Sequence, residues 1–220
     1  SLFRCLAYET NLRKKVYALA NANWYQIETN FIKKIDGSIA MIKDFSPFRD
    51  GGAKRYQSAC FTYGPGLMEE TFNERVATAL DAALFDRKLH TYDSNSHGSK
   101  VEPCDIFTQD GHFIHVKRYK GSCPLSHLFF QGLISATCLS GDPTFRSFMR
   151  NKARKKHAWI DQLLKEKGFK PEKFTTVYGI GSGTGSPMNR NELPIFSKIA
   201  LAHSAASLGA ARIPLKLWMI

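Results

Sequence analysis

The chain has 220 residues, 43% of them hydrophobic and 23% charged, which suffices for one substantial core and excludes a disordered or low-complexity polypeptide. No apolar run approaches the roughly 20 residues that cross a bilayer, and five cysteines without a CxxC pair point to reduced thiols and a cytoplasmic protein. A net charge of +12, from 31 basic and 19 acidic residues, creates a field that attracts polyanions, with nucleic acid the leading partner and a membrane not expected.

In chain order, two short strands over 16–20 and 24–27 flank the turn Asn21-Ala22-Asn23, and a helix over about 28–42 carries Phe31, Ile35, Ile39 and Ile42 on one stripe. This ββα lead-in (1–43) is expected to pack on the core. A basic loop rich in Gly, Pro and Ser follows over 44–66, and an α/β unit over 67–220 completes what reads as one domain. Its first helix, 67–80, places Met68, Phe72, Val76 and Ala79 on one face with Glu69 beside them. A short apolar strand, 82–85, then runs into Asp86.

Two strands come next, 101–107 and 112–117, joined by Gln109-Asp110-Gly111. A three-residue loop that ends in a left-handed glycine pairs Thr108 with His112, which sets Asp105 opposite His115 and leaves Lys117 on the same face. A two-residue turn at Asp110-Gly111 would shift the register by one and separate them. Pro124 then sits in the first turn of a helix over 125–133, capped by Ser122 or Cys123, which puts His127 and Gln131 on one face. A largely helical stretch over 144–167, a strand over 174–179, a glycine-rich loop over 181–186, a helix over 192–208 and a final strand over 213–220 complete the chain.

A carboxylate, an imidazole and an ammonium on one sheet face are the materials of a metal-dependent phosphodiesterase: hard cations take carboxylate oxygens and a lysine stabilises the charge that develops on the phosphate. The pattern Asp105, then His115-Val116-Lys117, resembles the PD-(D/E)XK nuclease superfamily, and the order of elements from residue 67 is similar to that superfamily's core of helix, three strands, helix and strand. The words EPCD, IHVKR and LSHLFFQG resemble, more narrowly, a sporadically distributed bacterial family of unknown function, encoded patchily as defence-associated genes commonly are.

The resemblance implies a restriction-endonuclease-like core, a mixed central sheet flanked by helices. It also implies a divalent metal, Mg2+ or Mn2+, and hydrolysis of DNA, or less readily RNA, in phage or mobile-element defence, as a homodimer or with a partner protein. Carried onto this chain, Asp105 and Glu69 become metal ligands, Lys117 the catalytic lysine and Gln131 a positioning residue. Glu102 becomes a further acid where Pro103 distorts the strand. One position departs from the pattern: His115 stands where the superfamily has Asp or Glu. Imidazole there either ligates manganese or another transition metal, acts as a base, or marks a chain reduced to a catalytically inactive nucleic-acid-binding module.

Basic residues Arg118, Arg146, Arg150, Lys152, Arg154, Lys155 and Lys156 are the candidate contacts to a phosphate backbone. The set Cys104, His112, His115 and Cys123 lacks the close spacing of a structural zinc site, and the glycine-rich loop lacks a Walker lysine, so it reads as a flexible loop.

Overall fold

A computed structural model of the chain describes residues 7–13, 15–50, 58–92 and 100–220. At the N-terminus, β1 (Tyr8–Leu12), β2 (Lys15–Ala20) and β3 (Asn23–Gln26) form an antiparallel sheet, followed by α1 (Thr29–Ala40) and the edge strand β4 (Lys43–Asp44). Next come α2 (Glu69–Ala79), β5 (Ala83–Leu84), a small ribbon of β6 (His90–Thr91) and β7 (Lys100–Val101), then β8 (Ile106–Phe107) and β9 (His112–Arg118). The chain ends with α3 (Ser122–Gly141), α4 (Pro143–Ala153), α5 (Trp159–Leu163), β10 (Thr175–Gly181), α6 (Ile195–Ala210) and β11 (Leu215–Met219).

Six strands form one mixed sheet in the order β4-β11-β10-β9-β8-β5. The four from β4 to β9 are parallel, while β8 and β5 run antiparallel to their neighbours. Strands covered on both faces need apolar residues at every position, and β9 and β10 are buried along nearly their whole length. Ile114, Val116 and Val177 point toward Phe72 and Val76 of α2, whereas Tyr178, Ile180 and Leu217 meet Leu125, Leu128 and Phe129 of α3 and Leu201 of α6. A third cluster packs Phe107, Phe113 and Phe174 against Phe145 and Met149 of α4. The mixed α/β sheet with flanking helices is the fold class read from the sequence.

The lead-in docks on the main sheet through α1. Ile39 and Ile42 enter the cluster of α3 and α6, Asp36 accepts a hydrogen bond from Lys198 at 2.7 Å, and Arg190 donates to the carbonyls of Ile39 and Ile42. Phe31, expected on the buried stripe, is exposed, as is Met68, which precedes α2.

Three local readings change. Strand 101–107 is broken: residues 102–104 carry no strand pairing, Pro103 has no N–H to extend a ladder, and Asp105 is a bend whose N–H donates to the Ile114 carbonyl at 3.0 Å just before β8. The segment 44–66 is not a plain surface loop where it is described, since Phe45, Phe61 and Tyr63 are buried core side chains; residues 51–57 lie outside the described residues. The α3 cap is Gly121 at φ 103°, with Ser122 and Cys123 already inside the helix.

Gly132 lets α3 lie directly on the sheet: a Cβ there would fall 2.4 Å from Tyr178 Cε1. Tyr178 cannot move aside, because it is fully buried and its hydroxyl donates to the Phe129 carbonyl at 2.8 Å. Gly132→Ala is therefore expected to destabilise the protein by about 2 kcal/mol. Gly37→Ala in α1, with nothing within 4 Å of the added carbon, should stabilise it by up to about 1 kcal/mol. Urea denaturation of both variants checks the contrast.

Candidate functional site

The hairpin forms in the three-residue register. Thr108 N–H donates to the His112 carbonyl at 3.1 Å, Gly111 adopts φ +81°, and Ile106 and Phe107 pair with Ile114 and Phe113. Asp105 thus lies at the point where β8 ends. Its carboxylate turns edgeways between the strands, and Oδ2 accepts the Val116 N–H at 2.6 Å. Its own carbonyl accepts from Phe85 N–H at 2.8 Å and Asp86 N–H at 3.2 Å, which brings Asp86 alongside it at the end of β5.

The break at Pro103 supplies the third acid. With residues 102–104 free of strand pairing, Glu102 reaches the turn after β5, where Oε1 accepts the Arg87 N–H; Gln131 of α3 donates to Oε2 at 2.8 Å. Asp86, Glu102 and Asp105 each offer an oxygen within 4.8 Å of the others, and they are the one such group among the described residues. Behind Asp86 is Asn73 of α2, fully buried: Nδ2 donates to Asp86 Oδ2 at 3.4 Å, while Oδ1 has no partner among the described residues.

Burial is the main cause that pushes the Asp105 carboxyl well above the usual carboxylate range. The Val116 N–H opposes it, and the charges of Glu102, Asp86 and Glu69 reinforce it. Glu102 is raised too, first by burial, with the Arg87 N–H opposing and the charge of Asp86 adding to the rise; the Gln131 amide and the Lys117 charge pull it back. Lys117, at the open end of β9, pairs with Glu69 Oε1 at 2.7 Å, and Glu69 Oε2 accepts the Arg118 N–H at 3.1 Å. One lysine, held by the first residue of α2, therefore stands beside three crowded carboxylates.

Over residues 1–220 the chain matches the family described as "Family of unknown function (DUF6119)". The chain belongs to that family. No curated protein and no solved structure matches it.

The structure thus brings together Asp105, Glu102, Lys117, Glu69 and Gln131 of the residues read from the sequence, and it adds Asp86 and Asn73. Asp86 was visible only as an acid closing a short strand; the antiparallel pairing of β5 with β8 gives it its neighbours. His115 is elsewhere. It is 1% exposed under α3, and its Nε2 lies 3.1 Å from Ser135 Oγ, so it is neither a metal ligand nor a base of this group. Alternation does put His115 and Lys117 on one face, but α3 covers that face at His115 and leaves it open at Lys117.

Among the basic candidates, Arg146 is a core residue. It pairs with Glu166 at 2.5 Å, donates to the Leu139 and Ser140 carbonyls and lies over the Phe169 ring, so its guanidinium is engaged in the core and not offered to a phosphate backbone. Arg150 turns inward to the Leu164 carbonyl, and half-buried Arg118 packs its guanidinium against Gly183, where a Cβ would lie 2.6 Å from Nε. Lys152, Arg154, Lys155 and Lys156 are exposed. The glycine-rich loop is packed, since a Cβ at Gly181 would strike the Tyr63 ring at 2.5 Å. A separate cleft of about 1090 Å³ between β1, β2 and the first turns of α3 and α6 holds no comparable group of acids: there the α6 N-terminus is met by Glu9, whose Oε2 accepts the Phe196 N–H at 2.8 Å.

Burial takes the His115 imidazole from an ordinary 6.5 to about 3, so the folded protein keeps it neutral where the unfolded chain binds a proton. Its contribution to stability is present above about pH 6.5 and is lost as pH falls toward about 3. Between pH 6 and 4, His115→Leu is expected to remove close to one proton from the slope of unfolding free energy against pH, measured by urea titration. An unchanged slope would contradict the burial of a neutral ring.

Proposed function

We propose that this protein is a metal-dependent nuclease that hydrolyses phosphodiester bonds of DNA or RNA, with a restriction-endonuclease-like core. The observation that carries the proposal is the crowding of Asp86, Glu102 and Asp105 beside a lysine at the end of a strand. Three carboxylates held this close repel one another, and Asp105 in particular is buried with a single N–H as its side chain's polar partner among the described residues. A divalent cation is the group that such a donor set fits: hard oxygen donors, more negative charge than the surroundings neutralise, and a buried amide oxygen on Asn73 left over.

The core topology supports the same reading. The succession α2, β5, β8, β9, α3, β10, with β5, β8 and β9 antiparallel and β10 parallel to β9, follows the order of helix, three strands, helix and strand in the PD-(D/E)XK superfamily. The carboxylate missing at position 115 is compatible with an active site, because Asp86 and Glu102 supply negative charge beside Asp105.

In this mechanism Asp86, Glu102 and Asp105 would hold Mg2+ or Mn2+, which supplies polarisation of the scissile phosphate and a more acidic water. Gln131 fixes the orientation of Glu102 through its amide. Glu69 holds the Lys117 ammonium at the mouth of the site, where it faces the negative charge that builds on the phosphate oxygens as the nucleophile adds. Hydrogen bonds from Val116, Arg87 and Gln131 and the Glu69–Lys117 ion pair hold these groups in place, so they need little rearrangement before the reaction.

Purified protein should cleave plasmid, single-stranded DNA or RNA in the presence of Mg2+ or Mn2+ and not in EDTA. Lys117→Ala should lower the rate by about 100-fold or more while the protein still binds the substrate. Absence of cleavage of every one of these substrates with both ions would overturn the proposal.

A further inference from the structure

A pocket of about 520 Å³ opens at the β5 edge of the sheet, between the last turns of α2, the turn after β5 and the end of α4. Its floor is made of small side chains, Ala77, Ala82, Ala83 and Ala153, all buried. The rim is charged, with Lys88 contributed by the turn after β5 and Lys152 and Lys156 by the end of α4. A helix C-terminus favours lysines for its own dipole, which accounts for Lys152, but that does not explain why Lys88 converges on them from a different segment.

These cations lack a counterion. Among the described residues none of the three lysines forms an ion pair. Lys88 is tied to the Leu84 carbonyl and lies over the Phe85 ring, and Lys152 lies over Phe148. Of the two acids at the pocket, Asp81 is 91% exposed and leans toward His157 at 3.9 Å, and Glu74 forms no ion pair among the described residues. Burial, and after it the charges of Lys156 and Lys152, hold the Lys88 ammonium below its ordinary value. Three ammonium groups over an apolar floor, in a volume within the roughly 300–1,000 Å³ of ligand pockets, match an anion that carries an uncharged body.

We propose that this pocket is a phosphate-binding site, in which Lys88, Lys152 and Lys156 grip one phosphate and the alanine floor carries the attached sugar or base. The phosphate belongs either to a nucleic-acid strand or to a free nucleotide. Only the first source rests on the nuclease reading, and for it the geometry is favourable: Ala83 and Leu84 of β5 line the pocket, and Asp86, two residues on, belongs to the acidic group. A strand lying along β5 would meet both.

The test is equilibrium binding in EDTA, so that it does not depend on metal or cleavage. A short fluorescein-labelled DNA oligonucleotide and, separately, adenosine monophosphate are titrated against the wild type and two double variants. Lys152→Ala/Lys156→Ala removes two pocket cations; Lys33→Ala/Lys34→Ala removes the same charge from exposed positions on α1, outside the pocket. The pocket variant should lose about tenfold in oligonucleotide affinity, and its salt slope should fall by about one phosphate contact, with the α1 variant changed by less than about threefold. Loss confined to the oligonucleotide identifies a strand phosphate, and loss of adenosine monophosphate binding as well identifies a free nucleotide. Equal effects of the two variants, or no effect of either, would overturn the site. Cleavage can fail while this result stands, and the reverse, so the two readings are separable.

Discussion

Asp105 is a carboxylate placed where a carboxylate is expensive. It sits beside a two-residue strand, buried, its carboxylate with one backbone N–H as hydrogen-bond partner among the described residues and two further acids within 4.8 Å. Its carboxyl is held well above the usual range, so its contribution to stability is present at acid pH and is lost as pH rises through that elevated value. A fold of this size retains such an arrangement because packing elsewhere is ample: both faces of β9 and β10 are covered by apolar side chains from α2, α3 and α6.

The rest of the site follows from where that carboxylate lies. Because β8 is short and Pro103 ends it, the chain between β7 and β8 is free to bring Glu102 back toward Asp105. The antiparallel pairing of β5 places Asp86 next to them, and α2, packed on the opposite face, begins with Glu69 close enough to hold Lys117. Both helices also supply an amide side chain to the acids, Asn73 from α2 and Gln131 from α3. The acids sit toward one edge of the sheet, where β8 and β5 are its last two strands.

Much of this was legible in the sequence because the decisive step was local. Gly111 must adopt a left-handed conformation, and a Cβ there would also fall 2.9 Å from the Lys173 carbonyl, so the three-residue loop and its register can be read from the residues between Thr108 and His112. What sequence could not show is depth. His115 and Lys117 share a face by alternation, yet α3 covers the first and not the second, and that is settled by the packing of Gly132 on Tyr178. Asp86 carries no signature of its own, since its partners arrive from strand pairing 19 and 16 residues away. Arg146 looked like its basic neighbours until Glu166, Leu139 and Ser140 closed around it. Charge runs say little about direction when a helix has both a core face and a solvent face.

The central claim is that the Asp86, Glu102 and Asp105 group is built for a divalent cation, and titration calorimetry with Mn2+ and Mg2+ tests it most directly. At a pH below the elevated Asp105 value, the wild type should bind the ion with release of a proton, detected by repeating the titration in buffers of different ionisation enthalpy, and Asp105→Asn should abolish the binding while leaving the protein folded. Failure of the wild type to bind either ion, or equal binding by Asp105→Asn, would contradict the account.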